Sequence, residues 1–271
     1  MRWLDIILHD VRPRLWGMYL IGAVLGAHNL AGLLPWRLLP SLLFFVLCAN
    51  CMLDGIPALC ARAADPQDAV VQRTPAQHRR LFWCVLAAIL ANCVLIGLAR
   101  DWCEQLLLGL FLVLALLDSL PPVRLRARPV LDLCASAICV LPAFLGYYQA
   151  SGHYPAVLVI AAALCWTGAL RLLSAVQDVL DDRDAGVRTT AVALGVRTSL
   201  LVCALLWSGF ALIIVLQGYL MPLGVVAFVY PLLGFYLFEY FEMGEHVAKW
   251  LPLLNGVLGG AVIALALTRL L

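Results

Sequence analysis

Long apolar runs, broken by short charged punctuation, recur from one end of the 271-residue chain to the other. A helix needs about 20 predominantly apolar residues to cross the hydrocarbon layer of a bilayer, so runs of this length and number predict a polytopic membrane protein. Read between the charged residues, they give nine candidate spans: Leu15–Leu33, Leu38–Ala61, Phe82–Ala99, Leu106–Leu120, Val130–Ala150, Pro155–Leu172, Leu200–Leu216, Leu220–Phe241 and Leu251–Leu270. The fourth is short, and Pro222 and Pro231 can split or bend the eighth. A secretory signal or single anchor would leave a polar remainder behind it. None exists here, since 64% of the residues are hydrophobic and 13% charged, against about 45–50% and about 25% in soluble domains. The expected fold is all-α, a nine-transmembrane-helix bundle forming one domain over residues 1–271.

Cytoplasmic loops of membrane proteins carry the excess of Lys and Arg. With the N-terminus inside, all of the 18 basic residues except Arg37, Arg100 and Arg269 fall on the cytoplasmic side. That places the protein in the cytoplasmic (inner) membrane with its C-terminus outside. The long charged connections, after spans two, four and six, lie on the cytoplasmic side too, so chemistry is expected there. The ten cysteines sit almost entirely within apolar runs, where a thiol behaves as a small hydrophobe. Cys48 and Cys51 form a C-x-x-C, but inside a hydrophobic span rather than at a thioredoxin-like helix start. The five histidines show no i,i+4 pair, which argues against a zinc site.

The segment Ser174–Thr190 holds Asp178, Asp181, Asp182 and Asp184, a quarter of the 16 acidic residues. On a helix, Asp178 and Asp182 at i,i+4 share one face about 5–6 Å apart. Two carboxylates at that separation repel, and a hard divalent cation removes the repulsion; Mg²⁺ is typically held by one or two carboxylates plus phosphate oxygens and water. Arg171, Arg183 and Arg188 are near in sequence and can meet further phosphate charge. The same residues also suit a solvated helix end in a loop.

The stretch from Ala175 to Gly195 resembles the second aspartate motif of the UbiA superfamily of intramembrane prenyltransferases, Asp-x-x-x-Asp-Arg-x-x-Gly-x-x-Thr followed by Leu-Gly. Asp178, Asp182, Arg183, Gly186, Thr189, Leu194 and Gly195 match it. The wording is most similar to the lycopene elongase branch. Ser119–Asp132 resembles the family's Tyr-Ser-x-Pro-Pro-x-Arg-x-Lys segment, with Asp118 in place of Tyr and Arg126 in place of Lys. The resemblance implies a nine-span bundle that binds an allylic isoprenoid diphosphate at the cytoplasmic mouth. It implies Mg²⁺ as cofactor, Asp178 and Asp182 as metal ligands completed by Asp181 in the catalytic carboxylate set, and Arg73, Arg124, Arg126 and Arg188 on the diphosphate. Trp166, Trp207, Phe144, Tyr236 and Tyr240 are candidates by type for facing an allylic cation. Asp132 and Glu239 are expected near cytoplasmic span ends, either as bases that take up a proton or as solvated termini.

The family's first motif, Asn-Asp-x-x-Asp-x-x-x-Asp, is thin here. One alignment keeps Asn50 and Asp54 and puts Cys51 and Ala58 at the other acidic positions. The favoured one keeps only Asp65 and places Pro57, Ala58 and Ala61 on the remaining positions, because Asp65 lies near the cytoplasmic end. Asp54 is then roughly 16 Å from Asp65 along a helix, within the hydrocarbon layer, where an acid is functional by default. It pairs with Asn50 one turn away, or it contacts a cation or substrate hydroxyl in a cavity. Three readings follow: transfer of a prenyl group to a lipophilic acceptor (carotenoid, quinone precursor or aromatic), cyclisation of the chain onto its own cation, or a catalytically silent homologue that acts as a binding or partner subunit beside a paralogue. Expected partners are the diphosphate, the acceptor and membrane lipid, and not nucleic acid.

Overall fold

The computed structural model describes residues 14–27, 35–64, 75–217 and 225–268, and among these every regular element is helical. Asp65 and Arg73 lie outside the described residues. Two compact units divide the chain, one ending at Arg124 and taking in Leu141–Tyr154, the other made of Leu125–Val140 and Pro155 onward.

The first unit contains α1 (Arg14–Gly26), α2 (Pro35–Leu47), α3 (Ala49–Ala64), α4 (Pro75–Leu98), α5 (Trp102–Ser119) and, after an interval, a helix at Leu141–Ser151. Its core is a cluster of Tyr19, Phe44, Phe45 and Phe111 with ring centroids 5.3–6.0 Å apart. Tyr19 is fully buried, and its hydroxyl donates to the Leu38 carbonyl at 3.2 Å and to Gln149 Oε1 at 2.5 Å. Gln149 in turn donates to Ser41 Oγ at 3.0 Å, so this buried polar chain is internally satisfied.

The second unit contains α6 (Leu131–Ala135), a 3₁₀ turn at Ser136–Cys139, α8 (Val157–Gln177), α9 (Val179–Asp184), α10 (Thr190–Leu194), α11 (Val196–Leu216), α12 (Val229–Glu239) and α13 (Gly244–Leu267), the first unit's Leu141–Ser151 being α7. Leu172, Leu173, Leu200, Cys203, Trp207, Tyr230 and Leu237 form its core. Tyr230 donates to Asn255 Oδ1 at 2.7 Å, which ties α12 to α13.

Among the described residues six helices are long and apolar enough to cross a membrane, or seven if the broken pair Leu131–Cys139 and Leu141–Ser151 counts as one span. Leu15–Gly26 and Val225–Glu239 are shorter apolar helices, because the apolar runs they belong to extend into residues outside those described. The all-helical bundle is thus as expected, and among the described residues six or seven of the nine expected spans are seen at full length. The fourth span is longer than charge punctuation predicts. It begins at Trp102 because Asp101 caps it, accepting from the Glu104 amide at 2.9 Å, while Glu104 is itself buried and accepts from the Arg100 amide at 2.8 Å. This reciprocal arrangement is close to a capping box, and it lets an acid enter a helix that the sequence pattern starts at Leu106. Pro231 does not split α12: it is the third residue, in the turn where a missing N–H costs nothing. None of the ten cysteines is in a disulfide.

In a hydrocarbon solvent, helices associate through close packing rather than through a hydrophobic force, and small residues permit it. A Cβ on Gly22 would collide with the Ala143 carbonyl, one on Gly146 with the Tyr19 carbonyl, and one on Gly26 would sit 2.5 Å from the Tyr147 oxygen. These are backbone atoms of α1 and α7, and they cannot step aside as a flexible side chain would. Gly22→Ala and Gly146→Ala are each expected to destabilise the protein by about 1–3 kcal/mol or more, read as a lower Tm in detergent. Gly256→Ala, whose Cβ meets nothing within 4 Å, is the matched control and is expected to leave Tm unchanged.

Candidate diphosphate and metal site

The second unit builds its acidic turn from the end of α8. Asp178 breaks the helix with φ −94° and ψ 7°. The turn nonetheless continues, since the Asp182 amide donates to the Asp178 carbonyl at 2.8 Å. The two carboxylates are thus one helical turn apart, as their spacing predicts. Gly186 then ends α9: with φ +70° it adopts the left-handed conformation that L side chains resist. Its amide donates to Arg183 O at 3.1 Å and that of Val187 to Asp182 O at 2.8 Å, the paired bonds of a Schellman cap.

Thr189 has two tasks. Its hydroxyl oxygen caps α10 by accepting from the Val192 amide at 3.3 Å, and the hydroxyl donates to Asp182 Oδ2 at 3.3 Å. Gly195, at φ +79° and ψ 161°, turns the chain from α10 into α11 in a region open essentially to glycine alone. Each of these motif positions therefore has a local reason: two carboxylates, a left-handed terminus, a cap that orients one carboxylate, and a glycine-only corner.

Removal from water, followed by repulsion from Asp181, pushes the Asp178 carboxyl above its ordinary range, with Arg171 partly offsetting it. Burial likewise raises Asp182, opposed by the Thr189 hydrogen bond and reinforced by Asp178. Arg171, named from its sequence position with Arg183 and Arg188, is half-buried on α8 two turns before Asp178 and acts on both carboxylates. Asp178, Asp181, Arg183 and Arg188 are exposed, and Asp182 and Arg126 are half-buried. Among the described residues no group of three or more His, Cys, Asp or Glu side chains converges as a complete metal cage. Two like-charged, partly desolvated carboxylates do fit a hard divalent cation whose other ligands are phosphate oxygens and water.

Asp132 departs from both expectations. It is neither solvated nor open to a substrate proton: it is fully buried, and its oxygens accept from the Leu133 amide at 2.9 Å, the Thr190 amide at 2.9 Å and the Thr190 hydroxyl. Glu239 is exposed at the last residue of α12. Trp207 is fully buried, packed with Tyr230 at 5.5 Å, and belongs to the core; Trp166 is half-buried against Phe210 and Tyr230. Tyr236 and Tyr240 are exposed and stack on each other at 5.1 Å.

Asn50, Asp54, Arg124 and Phe144 belong to the first unit. Phe144 is buried. Asn50 is also buried, and its amide nitrogen has no hydrogen-bond partner, so it does not donate to Asp54, which lies on an exposed side of α3. The two point differently despite their i,i+4 spacing. Helix α3 runs on through Pro57. Arg124 is half-buried with φ +40°, and its amide donates to the Leu120 carbonyl at 3.1 Å.

Protons and a bound divalent cation would compete for Asp178 and Asp182. Because their folded-state pKa values are raised, the stability these groups contribute without metal is present at low pH and lost as pH rises through those values. A cation selects the charged form and reverses that loss. The Mg²⁺-induced rise in Tm is therefore expected to grow as pH rises above the ordinary carboxylate range. In an Asp178→Asn, Asp182→Asn double variant, differential scanning fluorimetry is expected to show no Mg²⁺ dependence at any pH.

The sequence matches the family described as "UbiA prenyltransferase family" over residues 15–251. It is 30% identical over 259 residues to a lycopene elongase/hydratase of Halobacterium salinarum, covering 92% of each chain. To a lycopene elongase/hydratase of Haloferax volcanii it is 29% identical over 272 residues, covering 96% of this chain and 87% of the relative. In fold it is similar to a UbiA homolog from Archaeoglobus fulgidus bound to Cd²⁺, with a TM-score of 0.72 at 18% identity over 97% and 98% of the two chains. The homolog from the same organism bound to DMAPP and Mg²⁺ superimposes with a TM-score of 0.67 at 17% identity, over the same shares of the chains. The match runs through the aspartate-bearing turn and nearly the whole chain, and the protein belongs to the UbiA prenyltransferase family.

Proposed function

We propose that this chain, an intramembrane prenyltransferase by its family, moves an isoprenoid group from an allylic diphosphate to an acyclic carotenoid such as lycopene. The observation that carries this reading is the intact acidic turn: Asp178 and Asp182 one helical turn apart, with Asp182 held by Thr189. The lycopene elongase/hydratase relatives support the carotenoid among the lipophilic acceptors. The neighbour bound to DMAPP and Mg²⁺ supports a short allylic diphosphate and Mg²⁺.

Asp178 and Asp182 would hold Mg²⁺, and Asp181 adds negative field beside them. The cation supplies neutralisation of charge on a leaving diphosphate. Arg126 and Arg188 meet the remaining phosphate charge, the role that the family resemblance also gives Arg73 and Arg124. The donor's allylic C–O bond breaks with the electron pair leaving on diphosphate. A terminal double bond of the acceptor then supplies the electrons for the new C–C bond, and the resulting carotenoid cation loses a proton or takes up water. The surrounding apolar helices keep bulk water from the first cation. Asp54, exposed on α3, is assigned to the acceptor, with Asn50 and Asp65 as the other candidates from the first motif. The two short apolar helices and the broken pair complete nine spans, with the N-terminus cytoplasmic and the C-terminus outside, in the cytoplasmic membrane. The uninterrupted family match supports one domain over 1–271. The thin first motif favours a second reading, a silent homologue that serves as a partner subunit to a paralogue.

Purified protein in nanodiscs, given lycopene, dimethylallyl diphosphate and Mg²⁺, is expected to release pyrophosphate only with acceptor present. The carotenoid is expected to gain one isoprene unit, with or without one water, by mass spectrometry. Asp178→Asn should lower the rate by about 10²–10³-fold. Acceptor-independent hydrocarbon would instead identify a cyclase, and no release with any allylic diphosphate a silent subunit.

A further inference from the structure

The buried Asp132 has a consequence for the acidic turn. It lies on α6, six residues after Arg126, and 58 positions before Thr190 in the chain. Its Oδ2 accepts from the Thr190 amide at 2.9 Å, and its Oδ1 accepts from the Thr190 hydroxyl and from the Leu133 amide at 2.9 Å. The Thr190 hydroxyl oxygen also accepts from the Val130 amide at 2.7 Å. Val130 needs that anchor: its φ is +69°, a positive value that a β-branched residue resists. The next residue in the other direction, Thr189, is the one that donates to Asp182.

We propose that Asp132 is a positioning residue, clamping the arginine-bearing segment 125–130 to Thr190 so that Arg126 and the Thr189–Asp182 pair are presented in fixed register to one diphosphate–metal group. The inference rests on the proposed function and assigns Asp132 no contact with substrate. A carboxylate is required because all its neighbours at this point are donors, two amides and a hydroxyl, and only an acceptor-only group satisfies them together. An asparagine of the same shape turns an N–H toward another donor. Thr190 is the matching half, since its hydroxyl bridges Asp132 and the strained Val130 amide, and serine retains that bridge whereas valine does not.

The test uses the full chain in nanodiscs and reads Mn²⁺ binding by electron paramagnetic resonance in the presence of inorganic pyrophosphate, alongside the Mg²⁺ dependence of transfer. Asp132→Asn and Thr190→Val are expected to weaken Mn²⁺ binding by about tenfold or more, as loss of a supporting shell does. They should raise the Mg²⁺ requirement in parallel, while the KM for lycopene stays within about twofold. Thr190→Ser is expected to restore Mn²⁺ affinity to within about twofold of the parent protein. Should Asp132→Asn fail to fold, the Thr190→Val and Thr190→Ser pair decides. The proposal is overturned if the Val and Ser variants bind Mn²⁺ alike, if Asp132→Asn folds with parental Mn²⁺ affinity, or if the parent protein binds no Mn²⁺ with pyrophosphate. Parental Mn²⁺–pyrophosphate binding without prenyl transfer overturns the carotenoid reading instead and leaves the clamp standing on the variant series.

Discussion

A hydrocarbon solvent offers no hydrogen bonds, and each backbone N–H and C=O inside it must be paired within the chain. That constraint makes the described residues helical throughout and leaves side-chain packing to bring the helices together. In the first unit the contact is as close as backbone geometry allows, with Gly22, Gly26 and Gly146 at places where a methyl group would strike a carbonyl or stand against one. The second unit does the same with Gly234, whose Cβ would lie 2.7 Å from Ala204 Cα. Small residues are therefore placed by the solvent as much as by the fold.

Polar groups that enter such an interior come with their partners. Tyr19, Gln149 and Ser41 form a closed chain, and Glu104 is bound by the backbone just before its own helix. Asp132 takes three donors. The acidic turn is different in kind. Asp178 and Asp182 are drawn partly out of water and set beside each other and Asp181, with Arg171 only partly offsetting the repulsion. Like charges set together favour an arriving cation, which suits the proposed binding site.

The residues that resemble the family pattern act mostly through the backbone. Gly186 and Gly195 supply conformations that other residues resist, and Thr189 both starts a helix and holds a carboxylate. Only the aspartates present chemistry to a ligand. A one-residue slip anywhere between Gly186 and Thr189 would move the hydroxyl off Asp182, which explains why spacing in this segment is as informative as composition.

The helical class, the places of six or seven of the spans and the aspartate turn were legible in the sequence because each depends on short-range physics: apolar length, an i,i+4 spacing, glycine at a corner. Helix starts were less legible. Trp102 begins its helix eight residues after Val94 in the previous span and four before the expected Leu106, since a buried Glu104 is acceptable only when Arg100 and Asp101 satisfy that turn. Asp132 looked like any acid near a span end, and Asn50 and Asp54 like any pair one turn apart. Their burial, their partners and the direction in which they point come from segments distant in the chain, as with Thr190, which reaches Asp132 across 58 positions. The sequence by itself determined that the chain is a helical membrane protein with a paired-aspartate turn; only the tertiary structure decided which acids are anchored and which remain to meet a ligand, because a carboxylate's role depends on the donors folded around it.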